Sequence, residues 1–257
     1  MVPRTMSGPA VGIIHVHSSY SHDSRDTLER LRTFAVDLGI DFVGLTDHAE
    51  DLDPERFETY VRHCREVSDD AVTLVPGLEY RFDGFPGMHL LALALTRWIQ
   101  PRTPGEFVAQ AKTAATFSIA AHPRLAGYDL PDVVVRGIDA IEVWNTSYDT
   151  RYLPDTRAIR LLQTLRRSRP ELLGTVGLDQ HDCRNDREAR VLLNRRDGDP
   201  IAELKSGRFL NVGRTMRFDP TVSWNSSHVG LVSAARWVLD RVDSLQERRA
   251  GRPRASR

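Results

Sequence analysis

Cysteine is nearly absent: Cys64 and Cys183 are the only two in 257 residues, far apart and in no CxxC pair. That excludes a disulfide framework and a structural zinc ribbon. Lysine is as scarce, with Lys112 and Lys205 alone among 35 basic side chains and arginine making up the rest. Long apolar runs are missing too. The longest, Leu90–Leu95, cannot span a bilayer, and the opening MVPRTMSGPA has no apolar signal segment. A cytoplasmic, reduced protein with no membrane partner is the expectation. Net charge is also absent: 35 acidic side chains cancel the 35 basic ones. No global field therefore recruits a polyanion, and no stable nucleic-acid complex is expected. No stretch is rich enough in Gly, Pro or Ser to divide the chain, so residues 11–247 read as a single domain. Residues 1–10 and the basic tail 248–257 read as loose ends.

What is present is an alternation. Short apolar runs at Val11–Val16, Asp41–Leu45, Val72–Leu78, His89–Leu95, Phe117–Ala121, Ala140–Trp144 and Leu173–Leu178 read as buried strands. Between them lie amphipathic patterns. Thr27–Leu38 ends at Gly39, a helix stop, and Pro54–Val67 opens behind Asp53 with proline in the first helical position. Pro104–Ala115, Asp155–Arg167 and Val229–Glu247 continue the series. Strand–helix alternation predicts an α/β fold with a parallel sheet under helical cover.

Nine histidines stand out less by number than by position. The first strand ends in His15-Val16-His17, the second in Thr46-Asp47-His48, and the third in Gly77-Leu78-Glu79. The fifth ends in Ala121-His122-Pro123 and the seventh in Gly177-Leu178-Asp179-Gln180-His181. In parallel α/β folds the C-terminal strand ends build the active site, so these residues would meet in one bowl. Period-2 geometry would point His15 and His17 to the same side. His89 opens a strand instead. A turn signal at Phe82–Gly87 is centred between Glu79 and His89, which could place them across a hairpin, Cβ atoms ~5 Å apart. Imidazole and carboxylate without thiolate suit Zn²⁺, Mn²⁺ or Fe²⁺.

These motifs resemble the polymerase and histidinol phosphatase (PHP) family of metal-dependent phosphoesterases. The resemblance runs from about Val11 to Leu210 through HVHSSYSHDS, LTDHAE, SIAAHPR and VGLDQHD, with GLEY and MHLLAL between. It implies a distorted (β/α)7 TIM-like barrel with two or three divalent ions at its mouth. By position, one ion would take His15, His17, Glu79 and Asp179. A second would share Glu79 with His89 and His122, and a third would use Asp23, His48 and His181. The implied activity is hydrolysis of a small-molecule or nucleotide phosphate ester by metal-activated hydroxide. His22 and Asp47 are candidates for the leaving-group acid, with Asp47 also a candidate to orient a ligand imidazole. Arg124, Asn145, Arg25 and Arg184 are candidates for substrate contact. Two other functions fit parts of the pattern. One is a metal-stabilised binding or scaffold domain without catalysis. The other is an amidohydrolase-type C–N hydrolase, a pattern that usually includes a bridging lysine from a middle strand, and neither Lys112 nor Lys205 ends an expected strand.

Overall fold

In the computed structural model the described residues are 8–249, apart from 187, 195–197 and 222. Most of the two ends expected to be loose, residues 1–7 and 250–257, therefore lie outside the described residues.

The sequence builds its helices from conventional starts. Helix α1 (Leu28–Asp37) is capped by the Thr27 hydroxyl, which accepts from Arg30 N at 3.3 Å. It stops at Gly39, whose φ of +68° suits a residue without Cβ. Helix α2 (Pro54–Val67) starts behind Asp53, and α3 (Pro104–Thr113) behind Thr103, each with proline where its missing N–H costs nothing. Helices α4 (Asp132–Gly137), α5 (Thr156–Leu165), α6 (Pro200–Lys205) and α7 (Ser226–Arg249) complete the set among the described residues.

The strands form two six-stranded sheets. In one, the order is β12 (Arg217–Phe218), β11 (Phe209–Val212), β10 (Arg190–Leu193), β1 (Ala10–Val16), β2 (Phe42–Leu45) and β4 (Thr73–Val75). In the other it is β3 (Asp47–His48), β5 (Gly77–Arg81), β6 (His89–Leu93), β7 (Phe117–Ala121), β8 (Ala140–Asn145) and β9 (Leu173–Gly177). Parallel pairing joins β1 to β2, β2 to β4, β3 to β5, β7 to β8 and β8 to β9. Strand β6 runs against both neighbours, which brings its first residue, His89, to the end where the parallel strands finish. All seven expected strands are present, the third divided at Pro76.

The sheets run into each other twice. Thr46 alone separates β2 from β3, and Pro76 separates β4 from β5. Past the end of β9, Leu178 N donates to Ile14 O at 3.1 Å and Gln180 N to His15 O at 3.2 Å. His17 N returns a bond to Gln180 O at 2.9 Å. The interior is apolar and closely filled, with Trp144, Phe42, Phe57, Phe107 and Phe117 among its largest fully buried side chains.

Candidate metal centre

The strand ends gather the histidines and carboxylates into one cluster, buried except toward Asp23, His89 and His181. β1 delivers His15 and His17, β3 His48, β5 Glu79 and β6 His89. His122 follows β7 directly, and Asp179 and His181 follow β9, while Asp23 comes from the loop after β1. Glu79 sits at the centre. Its Oε1 lies 3.6 Å from His15 Nε2, 2.7 Å from His89 Nδ1 and 3.4 Å from His122 Nε2. Its Oε2 lies 3.6 Å from His17 Nε2 and 3.1 Å from His48 Nδ1. Asp179 Oδ1 stands 3.4 Å from His15 Nε2 and 3.3 Å from His17 Nε2. Asp23 Oδ2 is 3.0 Å from Nε2 of both His48 and His181.

Three groups have potential ligand atoms all within 4.8 Å of one another: His15–Glu79–His122, His15–His17–Asp179 and His17–Asp23–His48–His181. His17 thus stands with the Asp23 group as well as with Asp179. Glu79 also lies close to His89, though in the ladder His89 pairs with Arg81 and Glu79 with Leu91, a two-residue offset from direct opposition.

Backbone strain collects here. His15, His122 and Asp179 have φ of +64°, +26° and +49°, in the region that residues with a Cβ seldom adopt. His15 is also the extra residue where the β1–β2 register slips between Ile14 and Val16. A bulge, rather than regular period-2 alternation, therefore turns this side chain inward.

The donor set suits cations. His15 Nε2, His17 Nε2, His48 Nδ1 and both ring nitrogens of His122 are buried without a hydrogen-bond partner. Unmatched buried nitrogens cost stability unless something else ligates them. The electrostatics agree. Burial pushes the Glu79 carboxyl up, but the imidazoles of His122, His15, His48 and His89 around it hold it well below the usual range. Asp179 is likewise held low against burial by His15 and His17. Burial alone would lower His15, yet the Glu142 and Asp179 charges raise it well above an ordinary imidazole. His48 rises to about 9, Glu79 and Asp23 outweighing burial. His181 moves down, through burial and the neighbouring His17.

A carboxylate not singled out from the sequence supports the cluster from behind. Glu142 is buried in β8, with Oε1 2.6 Å from His15 Nδ1. Its Oε2 accepts from His122 N at 2.8 Å and from Asn145 Nδ2 at 2.9 Å. This leaves His15 Nε2 to face the centre, an arrangement typical of metal-ligating histidines. The signal was a lone glutamate inside the apolar run AIEVWN. Gly177 makes room for it, since a Cβ there would lie 1.8 Å from Glu142 Oε1.

The other expected site residues divide. Asp47 is buried and accepts from Ser18 N at 2.7 Å and from the Ser18 and Ser21 hydroxyls at 2.8 Å each. Ser21 Oγ in turn accepts from His48 N at 2.9 Å and lies 3.4 Å from His17 Nδ1. Asp47 thus braces the His17 ring and the His48 backbone through Ser21, and these three contacts are all to the protein's own groups. His22 points outward, 60% exposed, with Nδ1 2.7 Å from Asp51. Asn145 is buried, donating to Glu142 Oε2 at 2.9 Å and accepting from Ser147 N at 3.0 Å. Arg124 is exposed and donates to Tyr148 O at 3.0 Å. Arg184 pairs with Asp182 on the surface, and Arg25 lines a cavity of about 480 Å³ that reaches Asp23 and His181. Two further neighbours were not among the expected site residues, although the loop from Tyr148 to Asp155 was expected to wall the pocket. Arg81 Nη2 is 3.5 Å from His48 Nε2. Tyr148 meets His122 edge-on at 5.0 Å, and burial together with the Asp179 and Glu79 charges pushes its phenol up to about 12. A fourth cluster, Asp26–Asp182–Cys183, is held by Cys183 N on Asp26 at 2.5 Å and by Arg30.

Residues 14–118 match the PHP domain family. The PHP match carries His15, His17, Asp23, His48, Glu79 and His89, while His122, Asp179 and His181 lie beyond it and join through the fold. Among solved structures, a two-domain protein from Bacteroides vulgatus containing a predicted PHP-like metal-dependent phosphoesterase aligns with TM-score 0.57 at 17% identity. The alignment covers 80% of this chain and 65% of that one, so the chain spans less than two thirds of that protein's length. PsfC from Pseudomonas syringae aligns with TM-score 0.56 at 17% identity, over 90% of this chain and 99% of its own. At such identity both speak to the fold. An amidohydrolase from Chromobacterium violaceum aligns at TM-score 0.46 and 14% identity, over 78% and 97% of the two chains, too low to bear on the chemistry. No curated protein matches. The amidohydrolase reading also lacks its lysine. Lys112 belongs to α3, and Lys205 ends α6 with its Nζ on Ala115 O. The PHP match and the His/Asp/Glu clusters together support use of divalent metal. No helix among the described residues is long and apolar enough to cross a membrane.

Proposed function

We propose that this chain is a metal-dependent phosphoesterase acting on a small-molecule or nucleotide phosphate ester. The observation that carries the reading is Glu79, a buried carboxylate within 3.6 Å of five imidazoles, four of which bring to it buried nitrogens that have no hydrogen-bond partner. His15, His17, Asp23, His48, Glu79, His89, His122, Asp179 and His181 would hold two or three divalent ions. When bound, such ions supply positive charge against phosphoryl oxygens and lower the pKa of water.

The protein's own groups do the rest. Glu142 fixes the ring of His15, and Asp47 fixes the His17 ring and the His48 backbone through Ser21. Arg81 and Arg124 stand at the mouth as cations for phosphate oxygens, Arg81 the nearer to His48. Tyr148, whose phenol keeps its proton at neutral pH, is placed to donate a hydrogen bond to a phosphoryl or leaving oxygen. It replaces His22 and Asp47 in that role, since one points to solvent and the other bonds to Ser18 and Ser21.

We also infer that residues 11–247 form one domain whose strands close into a distorted seven-stranded barrel. The support is the continuity of β2 with β3 and of β4 with β5, and the backbone bonds between β1 and the residues after β9.

Elemental analysis of the purified protein, followed by a phosphoester panel with Mn²⁺ and Zn²⁺, tests the function. Glu79→Ala and Asp179→Ala should lose bound metal and hydrolysis together. A metal-replete wild type that cleaves no phosphate ester would overturn the proposal.

A further inference from the structure

We propose that the ester cleaved here is a compact, hydrophilic molecule carrying a second anionic group, and that Arg25, Arg30 and Arg184 hold this group in the cavity beside Asp23 and His181. The inference rests on the phosphoesterase reading and extends it to substrate class.

Two cavities have residues of the ligand cluster in their walls. The larger, about 480 Å³, is lined by Asp23 and His181 and by the three arginines. The smaller, about 230 Å³, is lined by Asp179 and His181 together with polar residues such as Ser147 and Asn185. His181 and Asp182 line both, so the two spaces flank the loop after β9. Neither has an aliphatic side chain, or any ring but the His181 imidazole, among the described residues that line it. Ligand pockets are usually walled mostly by apolar side chains, so an apolar or ring-bearing occupant would gain little from burial here. A hydroxylated one loses nothing.

Charge then selects the occupant of the larger cavity. Its arginines face Asp26 and Asp182, but the pairs are unequal in what they show to solvent. Arg30 Nε lies 3.2 Å from Asp26 Oδ1, and the arginine side chain is 48% exposed where the aspartate is 4% exposed. Asp26 Oδ2 also accepts from Cys183 N at 2.5 Å, so this carboxylate is turned into the protein. Arg184 grips Asp182 through Nε at 2.9 Å and Nη2 at 2.5 Å, and is 76% exposed against 31%. Arg25 is exposed and has no hydrogen bond or ion pair among the described residues. The remaining carboxylate, Asp23, belongs to the ligand cluster. The accessible charge on this wall is therefore cationic, and guanidinium forks suit phosphate or carboxylate oxygens. The phosphoryl group under attack would sit at the ligand cluster, and a cavity of this volume takes more than that group. The anion the arginines suit is a second one on the same molecule.

Calorimetry on metal-loaded protein tests the proposal with phosphonates, which are not hydrolysed. 1,3-Propanediphosphonate or 3-phosphonopropionate should bind about tenfold more tightly than propylphosphonate, and the better of the two identifies the second group as phosphate-like or carboxylate. Benzylphosphonate should gain nothing over propylphosphonate. Arg25→Gln, at an exposed position without partners, should shrink the tenfold gain several-fold. Propylphosphonate titrated against the same variant reports on the ligand cluster alone. Equal affinities for propylphosphonate and both probes with a second anion would overturn the subsite. So would a loss in Arg25→Gln that is the same for all of them, because the arginine would then serve the phosphoryl group itself. Tighter binding of benzylphosphonate would overturn the hydrophilic assignment. Ester hydrolysis without the second-anion gain would leave the phosphoesterase reading standing. The gain in a protein that hydrolyses no ester would do the reverse.

Discussion

At the scale of single residues, the cluster depends on groups that never face substrate. Glu142 is the clearest, because it fixes His15 and also the backbone of His122. Gly177→Ala would drive a methyl into Glu142 Oε1, so it should weaken metal affinity by ~10–100-fold, the range usual for losing a carboxylate behind a ligand. Competition against a chelator of known affinity measures this, and Glu142→Gln should follow in the same direction. Tyr148→Phe is expected to retain the fold and the metal while lowering kcat by ~10–100-fold, if its hydroxyl donates in the transition state. Unchanged turnover on a panel of esters would remove Tyr148 from the mechanism. Residues at strand ends were legible in the sequence because a histidine or carboxylate closing an apolar run has few structural reasons to be there. Glu142 was not, because it lies within its strand, where a single acidic residue is hard to tell from an outward-facing one until β9 is seen covering it.

At the scale of elements, most of the first 180 residues could be read from periodicity and helix starts. Hydrophobic strands bounded by capped helices leave little ambiguity, and Asp53-Pro54 and Thr103-Pro104 open their helices where expected. The segment between Asp182 and Asn225 was silent. Its strands β10, β11 and β12 have at most four residues and partly exposed faces, so they show no continuous apolar run. The short helices α4 and α6, six residues each, fall below the length at which periodicity registers. Helix α7 was anticipated, but its anchorage was not. Arg236 reaches from it to Leu153 O at 3.1 Å and to Asp149 at 3.3 Å, tying the helix to the loop that carries Tyr148. Burial lifts the Asp149 carboxyl to about 7, with Arg236 pulling it down and Asp155 adding to the rise. Because the folded value lies above the usual unfolded one of ~3.9, this group favours folding at low pH, and the benefit fades as pH rises from ~4 through about 7. Asp149→Asn, which keeps an acceptor for Arg236, should remove that decline. Urea unfolding of both proteins at pH 5 and pH 8 checks it: the variant should gain relative stability at pH 8.

At the scale of the whole molecule, the ligand cluster joins segments from the first strand to the loop after β9, so bound metal would clamp the chain across most of its length. Removing metal with a chelator should lower the melting temperature by on the order of 5–10 °C if the ions are present at ~100 times their dissociation constant. Restoring Mn²⁺ or Zn²⁺ in a thermal-shift assay should reverse the loss, and insensitivity to both would argue that the cluster holds no metal. The same layout sets the order of events during synthesis. Strand β1 is made first, yet it pairs in register with β10, where Ala10 meets Leu193, and it takes backbone bonds from Leu178 and Gln180. Such distant pairings close slowly, because a long loop must be ordered before the contacts repay it. On the ribosome, β1 can dock on β2 early but must keep its other edge open until nearly two hundred residues have emerged. An unpaired strand edge of that kind is where a nascent chain is most exposed to pairing with its neighbours.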